Sequence, residues 1–223
     1  MINRILNFLK KSSGDYISGE EISHHLKISR QALWKHIHQL LDLGYQINAV
    51  PHLGYRLMGV PDKLLPSEIS WQLNTKFVGR AIHYYDSVTS TMDIAMQLGL
   101  KGAPEGAVVL TEAQTKGRGR LGRDWYSPKS KGIYLSLLLR PHILPQNTPL
   151  LTLLTAVAIC EAIKNVTDLD AQIKWPNDIL LDHKKVGGIL TEINAEVDQT
   201  HFVVIGIGLN VNNDRKALPL HAT

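Results

Sequence analysis

The sequence predicts an α+β chain in two parts: a small helical unit closed by a hairpin over residues 1–58, and a mixed β-sheet domain with helices on one face over residues 67–223. Three observations carry this reading. Apolar residues recur at helical spacing up to Leu41 and then give way to alternation. From Gly132 to Val211 strand-like runs dominate, with too few helical patterns between them for a βαβ alternation. Between the two parts, residues 59–66 hold Gly59, Pro61 and Pro66, the composition of a linker.

Composition narrows the class. The 223 residues are 44% apolar and 20% charged, which is globular and excludes disorder and collagen-like repeats. The lone cysteine, Cys160, excludes an internal disulfide and a cysteine-based zinc site. Residues 1–11 lack the layout of a signal peptide. No apolar run is expected to approach the roughly 18–20 residues of a membrane span, because Thr152, Thr155 and Glu161 interrupt residues 150–163. A reducing cytoplasm, with no membrane, is the expected compartment. Net charge is only +4, but residues 1–58 hold seven Lys/Arg against four acids, and five of the ten histidines.

In chain order, Ile2, Ile5, Leu6 and Leu9 place a first helix, ended near Gly14. Ser18 caps a second, with Glu21 as capping-box partner and Ile22 and Leu26 as its apolar stripe. After a tight turn, Ser29 caps a third helix over residues 30–43, stopped by Gly44. Leu33, Ile37, Leu40 and Leu41 are expected to face inward, leaving Arg30, Gln31, Trp34, Lys35 and His38 outside. Residues 45–50 alternate like a strand, 51–54 turn, and 55–57 return.

A short helix, a turn, a longer helix with a basic start and a hairpin together read as a winged helix-turn-helix. Ser29, Arg30, Gln31, Trp34, Lys35 and His38 on the helix, with Arg56 on the wing, are the DNA-binding candidates. Arg30 suits base edges and Lys35 suits phosphates. The competing readings are a three-helix domain that binds protein or nothing, and Trp34 as a packing residue.

Beyond the linker, residues 67–73 read as a helix, 82–85 as a strand and 90–98 as a helix with Ser90 or Thr89 at its cap. Residues 107–110 and 132–139 are strands, and 150–166 form a long apolar helix against one side of a sheet. Residues 171–175, 179–182, 186–193 and 201–211 read as further strands.

Three segments look chemical rather than structural. Residues 114–131 hold six Lys/Arg and one acid, with Gly117, Gly119 and Gly122 alternating among Arg118, Arg120 and Arg123. Glycine lets the backbone approach a ligand, and arginine offers planar forks to phosphate or carboxylate. Such a loop is expected to be mobile until an anion orders it; the plainer reading is a flexible basic loop or a nucleic-acid tail. In Lys174-Trp175-Pro176-Asn177-Asp178 a buried strand is expected to end in a polar cluster. There Lys174 could neutralise a phosphate, Asn177 read a purine and Asp178 hold Mg²⁺; a proline turn capped by Asn and Asp is the plainer account. Gly187 and Gly188 lie inside a strand after Lys185, and Gly206 and Gly208 repeat the feature before Asn210. A flat ligand on the backbone is one reason for such glycines, and a β-bulge is the other.

Together these segments resemble the biotin–protein ligases, in the bifunctional class that also represses the biotin operon. The resemblance rests on Gly117-Arg118-Gly119-Arg120 with Gly122, Arg123 and Trp125, then on the Lys174–Asp178 run, Lys185 with Gly187 and Gly188, and Gly206 to Asn210. Ser90-Thr91 and the N-terminal unit match as well, so nearly the whole chain is covered.

The resemblance implies a central domain of class II aminoacyl-tRNA synthetase-like fold. It implies an enzyme that joins biotin to ATP as biotinyl-5′-AMP and moves biotin to a lysine of the biotin carboxyl carrier protein of acetyl-CoA carboxylase. Ser90, Thr91, Met92, Gln114, Arg118, Gly119, Arg120, Trp125, Lys185 and Gly188 would then bind biotin. Arg123, Lys174, Asn177 and Asn210 would bind ATP, with Mg²⁺ at Asp178, and Arg118, Arg120, Lys174 and Lys185 would be catalytic. The adenylate would act as corepressor, favouring a homodimer on operator DNA. The family continues past Ala222-Thr223 into an SH3-like domain that this chain is expected to lack. The alternatives are therefore an adenylate-binding repressor with little ligase activity and a lipoate-type ligase.

Overall fold

The computed structural model describes residues 1–12 and 14–214. Ala222 and Thr223, where the family's further domain would follow, lie outside them. The chain divides into two compact units, Met1–Lys63 and Leu64–Thr223.

In the first unit α1 (Ile2–Lys11), α2 (Gly19–Leu26) and α3 (Arg30–Asp42) bury Ile5, Leu6, Leu9, Ile22, Leu33, Ile37 and Leu40 against one another. The caps are the expected ones: the Glu21 N–H donates to Ser18 Oγ at 3.0 Å and the Ala32 N–H to Ser29 Oγ at 3.1 Å. Leu41 departs from expectation at 39% exposed. A stripe through Leu33, Ile37 and Leu40 turns the next residue off the core. The strands β1 (Gln46–Val50) and β2 (Gly54–Gly59) close as an antiparallel hairpin. Gly54, at φ +107°, passes so close to Ile17 that a side chain would overlap its carbonyl. That approach lets Tyr55 exchange backbone hydrogen bonds of 2.8 and 3.0 Å with Ile17.

The second unit is built on a seven-stranded mixed sheet. Its strands are β3 (Ile82–Tyr85), β4 (Val108–Thr111), β5 (Gly132–Leu139), β6 (Gln172–Lys174), β7 (Asp178–Leu181), β8 (Lys184–Ala195) and β9 (Thr200–Asn210). The spatial order is β3-β4-β5-β9-β8-β7-β6, with only the β3–β4 pair parallel. Among the described residues three α-helices accompany it: α4 (Pro66–Ile69), α5 (Thr91–Leu100) and α6 (Pro149–Thr167). The α4 helix is a single turn rather than the longer helix expected, and Gln72 already sits at φ +59°.

The α+β class and the mixed sheet are as expected, but the helices do not share one face. Phe202 and Val204 of β9 pack with Met92 and Ala95 of α5, whereas Val203 and Ile205 pack with Ala156 and Ile159 of α6. Successive strand residues point to opposite faces, so α5 and α6 cover opposite sides of the sheet. At the end of α5, Arg140 gathers its C-terminal carbonyls. Its guanidinium donates to Gly99 O at 2.9 Å and to Ala103 O at 3.0 and 3.1 Å, lying over the Phe202 ring.

Two other expectations are corrected. The β6 strand is an exposed edge rather than a buried strand, because it has a neighbour only in β7. The segment Pro145–Thr167 does have the length and hydropathy, 1.5, of a membrane span. Its scattered threonines and Glu161 are too few to lower that average. One face of α6 nevertheless sits on the sheet through Ala156, Ile159, Cys160 and Ile163, while Leu150, Leu154 and Val157 face outward.

Candidate active site

The site forms where the basic loop, the start of α5, the β6–β7 turn and the glycine-bearing strands β8 and β9 meet around a cavity of about 310 Å³. Every ligand candidate named from the sequence lines this cavity except Ser90. Ser90 lies behind the wall as the N-cap residue of α5, and its buried Oγ has no hydrogen-bond partner.

The glycines in the strands have a specific occupant. The ring of Trp125 lies over Gly188 and Gly208, where a Cβ at 208 would stand 2.5 Å from Cε2 and one at 188 would stand 3.0 Å from Cζ3. Met92 covers Gly206 in the same way. The flat group on the backbone is thus the protein's own indole, whose buried Nε1 has no hydrogen-bond partner. A bulge is present too: the β7–β8 register slips between Ile179 and Leu180, opposite Val186.

The Lys174–Asp178 run is a tight hairpin. Lys174 and Asp178 pair across β6 and β7, and Trp175, Pro176 and Asn177 make the turn, with a cis Trp175–Pro176 bond. Both ends of the Asn177 carboxamide are engaged. Oδ1 accepts from Arg120 Nη1 at 3.0 Å and Nδ2 donates to Ile189 O at 2.9 Å. Asn177 therefore links the basic loop to β8. Asn210 Oδ1 accepts from Asn213 Nδ2 at 2.9 Å.

Two of the cations at the cavity, Arg118 and Lys185, are matched by carboxylates. Arg118 Nη2 stands 2.9 Å from both Asp93 Oδ1 and Glu192 Oε2, on α5 and β8. Lys185 Nζ is 2.8 Å from Asp178 Oδ1 and 5.5 Å from the Trp125 ring centroid. Arg123 and Lys174 are exposed at the rim. The basic loop closes on itself: Gly119 N donates to Arg123 O at 2.7 Å and Trp125 N to Gly117 O at 2.9 Å. Among the described residues no group of three or more His, Cys, Asp or Glu side chains could hold a metal. A site with the single carboxylate Asp178 still fits Mg²⁺, which keeps waters and takes substrate phosphates as ligands. Burial pushes the Cys160 thiol up, away from a nucleophile's range.

Sequence reasoning named Thr91 and Gln114 but missed the buried polar residues Ser127, Ser136 and Glu112. Thr91 donates to Gln114 Oε1 through N at 2.9 Å and through Oγ1 at 3.1 Å. Ser136 and Ser127 extend this pair on either side. Glu112, 1% exposed, accepts from Leu64 N, Tyr84 Oη and Ser130 Oγ at 2.8, 3.0 and 3.3 Å. A lone serine in the apolar run 133–139 was the only available signal for Ser136.

In the first unit, Gln31, Trp34, Lys35 and His38 form an exposed face of α3. Trp34 is 58% exposed and tilts against His38 with ring centroids 4.0 Å apart, so it is not a packing residue. Arg30 pairs with Glu20 at 2.8 Å, and Arg56 lies over Tyr16 at 5.1 Å. Ser29 is engaged as a cap.

The comparisons agree with this division. An HTH domain is matched over residues 2–56 and the biotin/lipoate A/B protein ligase family over residues 84–210. The bifunctional ligase/repressor BirA of Bacillus subtilis (strain 168) is 45% identical over 96% of this chain. The chain spans 66% of that relative's length. The solved biotin protein ligase of Leishmania major with biotinyl-5-AMP is 32% identical at a TM-score of 0.53, covering 60% of this chain and 58% of its own. That of Aquifex aeolicus with biotin and ATP is 32% identical at a TM-score of 0.52, covering 64% of this chain and 56% of its own.

Proposed function

Since the chain belongs to the biotin/lipoate A/B protein ligase family and carries the helix-turn-helix domain of its bifunctional members, we propose that it activates biotin with ATP and transfers it to a carrier protein, and that it binds operator DNA in response to the adenylate. One observation carries the reading. A single cavity is lined both by the neutral pair Thr91 and Gln114 and by the cations Arg118, Arg120, Lys174 and Lys185. A ligand with an uncharged polar ring at one end and an anion at the other matches that wall.

The chemistry brings two anions together. A biotin carboxylate oxygen attacks the α-phosphorus of ATP, the bond to the β-phosphate breaks, and pyrophosphate leaves. Arg118, Arg120 and Lys185 offset the repulsion and hold the reacting oxygens in line. Lys174 and Arg123 take the departing phosphates. Asp178 would hold Mg²⁺, whose contribution is to neutralise phosphate charge. In the second step a carrier lysine amine attacks the acyl carbon, an amide forms, its proton passes to water, and AMP leaves. Trp125, lying on Gly188 and Gly208, excludes water from the mixed anhydride between the steps.

The exposed α3 face, with Lys35 toward phosphates and Arg30 and Gln31 toward base edges, would occupy a major groove. Adenylate-favoured homodimerisation would pair two such units on a palindromic operator. The free, unpaired Cys160 suits a cytoplasmic setting.

The test is incubation with biotin, Mg-ATP and a biotin carrier domain, reading pyrophosphate release and carrier mass together. Both signals are expected. Adenylate without transfer would leave a repressor that binds the adenylate. Turnover with lipoate but not biotin would overturn the substrate, and operator binding unchanged by the adenylate would overturn the regulation.

A further inference from the structure

Beside Thr91 and Gln114 runs a chain of hydrogen bonds that all point one way. Ser136 Oγ, on the fully buried β5 residue, donates to Thr91 Oγ1 at 2.9 Å. Thr91 Oγ1 donates to Gln114 Oε1 at 3.1 Å, Gln114 Nε2 donates to Ser127 Oγ at 2.9 Å, and Ser127 Oγ donates to the Trp125 carbonyl at 3.0 Å. Ser127 is itself buried, at 5% exposed.

The direction follows from the last member. A backbone carbonyl only accepts, so the Ser127 hydroxyl must spend its proton there and meets Gln114 with a lone pair. That lone pair requires the amide nitrogen, which turns Gln114 Oε1 toward Thr91. The Thr91 backbone N–H, a fixed donor at 2.9 Å, agrees with this orientation. Gly117 keeps the space: a Cβ there would stand 2.8 Å from Ser127 Oγ and 3.0 Å from Gln114 Nε2.

We propose that Ser127 and Ser136 are positioning residues that fix which end of the Gln114 carboxamide accepts and which donates at the cavity wall, and so select a cyclic urea over rings with the reverse pattern. The inference rests on the biotin reading above. With both lone pairs of Oε1 taken by Thr91 and one Nε2 proton by Ser127, the second Nε2 proton is what Gln114 can offer a ligand, a donor that suits a urea carbonyl and opposes an imine N–H. Without Ser127 the carboxamide keeps the Thr91 donors on Oε1 but loses the partner that holds Nε2, so its remaining N–H is aimed at the ligand less strictly. A misaimed buried donor is the kind of mismatch by which a polar site discriminates.

The experiment measures binding of biotin, desthiobiotin and 2-iminobiotin to wild type, Ser127→Ala and Ser136→Ala by calorimetry, with melting temperature and the KM for ATP measured in parallel. Desthiobiotin keeps the urea; 2-iminobiotin replaces its oxygen with a nitrogen donor. Each variant is expected to bind biotin about ten-fold more weakly, the worth of one hydrogen bond. Desthiobiotin should weaken equally, the preference for biotin over 2-iminobiotin should shrink, and ATP KM and kcat at saturating biotin should hold. Ser127→Thr, which keeps the hydroxyl, should restore the preference. An unchanged preference in both alanine variants overturns the proposal, as does a parallel loss of stability, ATP affinity and biotin affinity. Wild type that binds no biotin overturns the functional reading and this inference with it.

Discussion

Replacing Gly208 with alanine tests the floor of the cavity directly. The new methyl would stand 2.5 Å from Trp125 Cε2 and 2.9 Å from Cζ2. Carbon atoms settle at about 3.5–4.0 Å, so the indole must retreat by about 1 Å. Overpacking an enclosed ring costs about 1–3 kcal/mol. Trp125 is only half-buried, so about 1 kcal/mol is expected, a fall of about 2–4 °C in melting temperature for a chain of this size. The functional effect is larger, because a displacement of about 1 Å at a reacting site can cost on the order of 100-fold. The KM for biotin should rise roughly ten-fold or more, with a change in tryptophan emission. Gly188→Ala, which meets Cζ3 at 3.0 Å, should do less. Unchanged emission and unchanged KM in Gly208→Ala would refute the placing of Trp125 on this strand.

Four further outcomes are expected of the protein. Burial pushes the Tyr134 phenol up from 10.0 to about 12, so its neutral form supports the fold fully below pH 10, and that support is lost as pH rises from about 10 to 12. The loss is at most about 2–3 kcal/mol, and Tyr134→Phe should flatten it in urea unfolding at pH 9 and pH 12. Arg140→Ala leaves the Gly99 and Ala103 carbonyls without their charged donor, and thermal unfolding should show a loss of about 2–4 kcal/mol. Lys35→Ala should weaken DNA binding evenly across sequences and lower the salt slope by about one, whereas Arg30→Ala should relax sequence preference. Glu192→Gln removes one of two carboxylates on Arg118, and the KM for biotin, measured at low and high salt, should change more at low salt.

What could be read from the sequence was local. The Ser18 and Ser29 caps are signalled within four residues of the bonds they make, and both bonds are present. Residues of the site were visible because glycine and arginine alternate in a single loop. What could not be read was tertiary. Asp93 and Glu192 reach Arg118 from a helix and a strand far apart in the chain. Nothing in a one-dimensional pattern marks Ser127 and Ser136 as partners of Gln114 and Thr91. The opposite placing of α5 and α6 depends on which alternate residues of β9 each helix takes, and both sets are apolar. The bonds of Asn177 to Arg120 and Ile189 likewise join residues far apart in the chain.

The pairing of the site's cations has a consequence for traffic through a crowded solution. Arg118 is shared between Asp93 and Glu192, and Lys185 is held by Asp178. A cleft of bare arginines would be filled by whatever phosphate or sulfate is most abundant. An anion aimed at Arg118 or Lys185 must displace an intramolecular counter-ion whose effective concentration does not fall on dilution. A single simple anion gains little by that exchange. A molecule that also fills the neutral wall at Thr91 and Gln114 gains more, so the carboxylates act as resident competitors that set a threshold for entry.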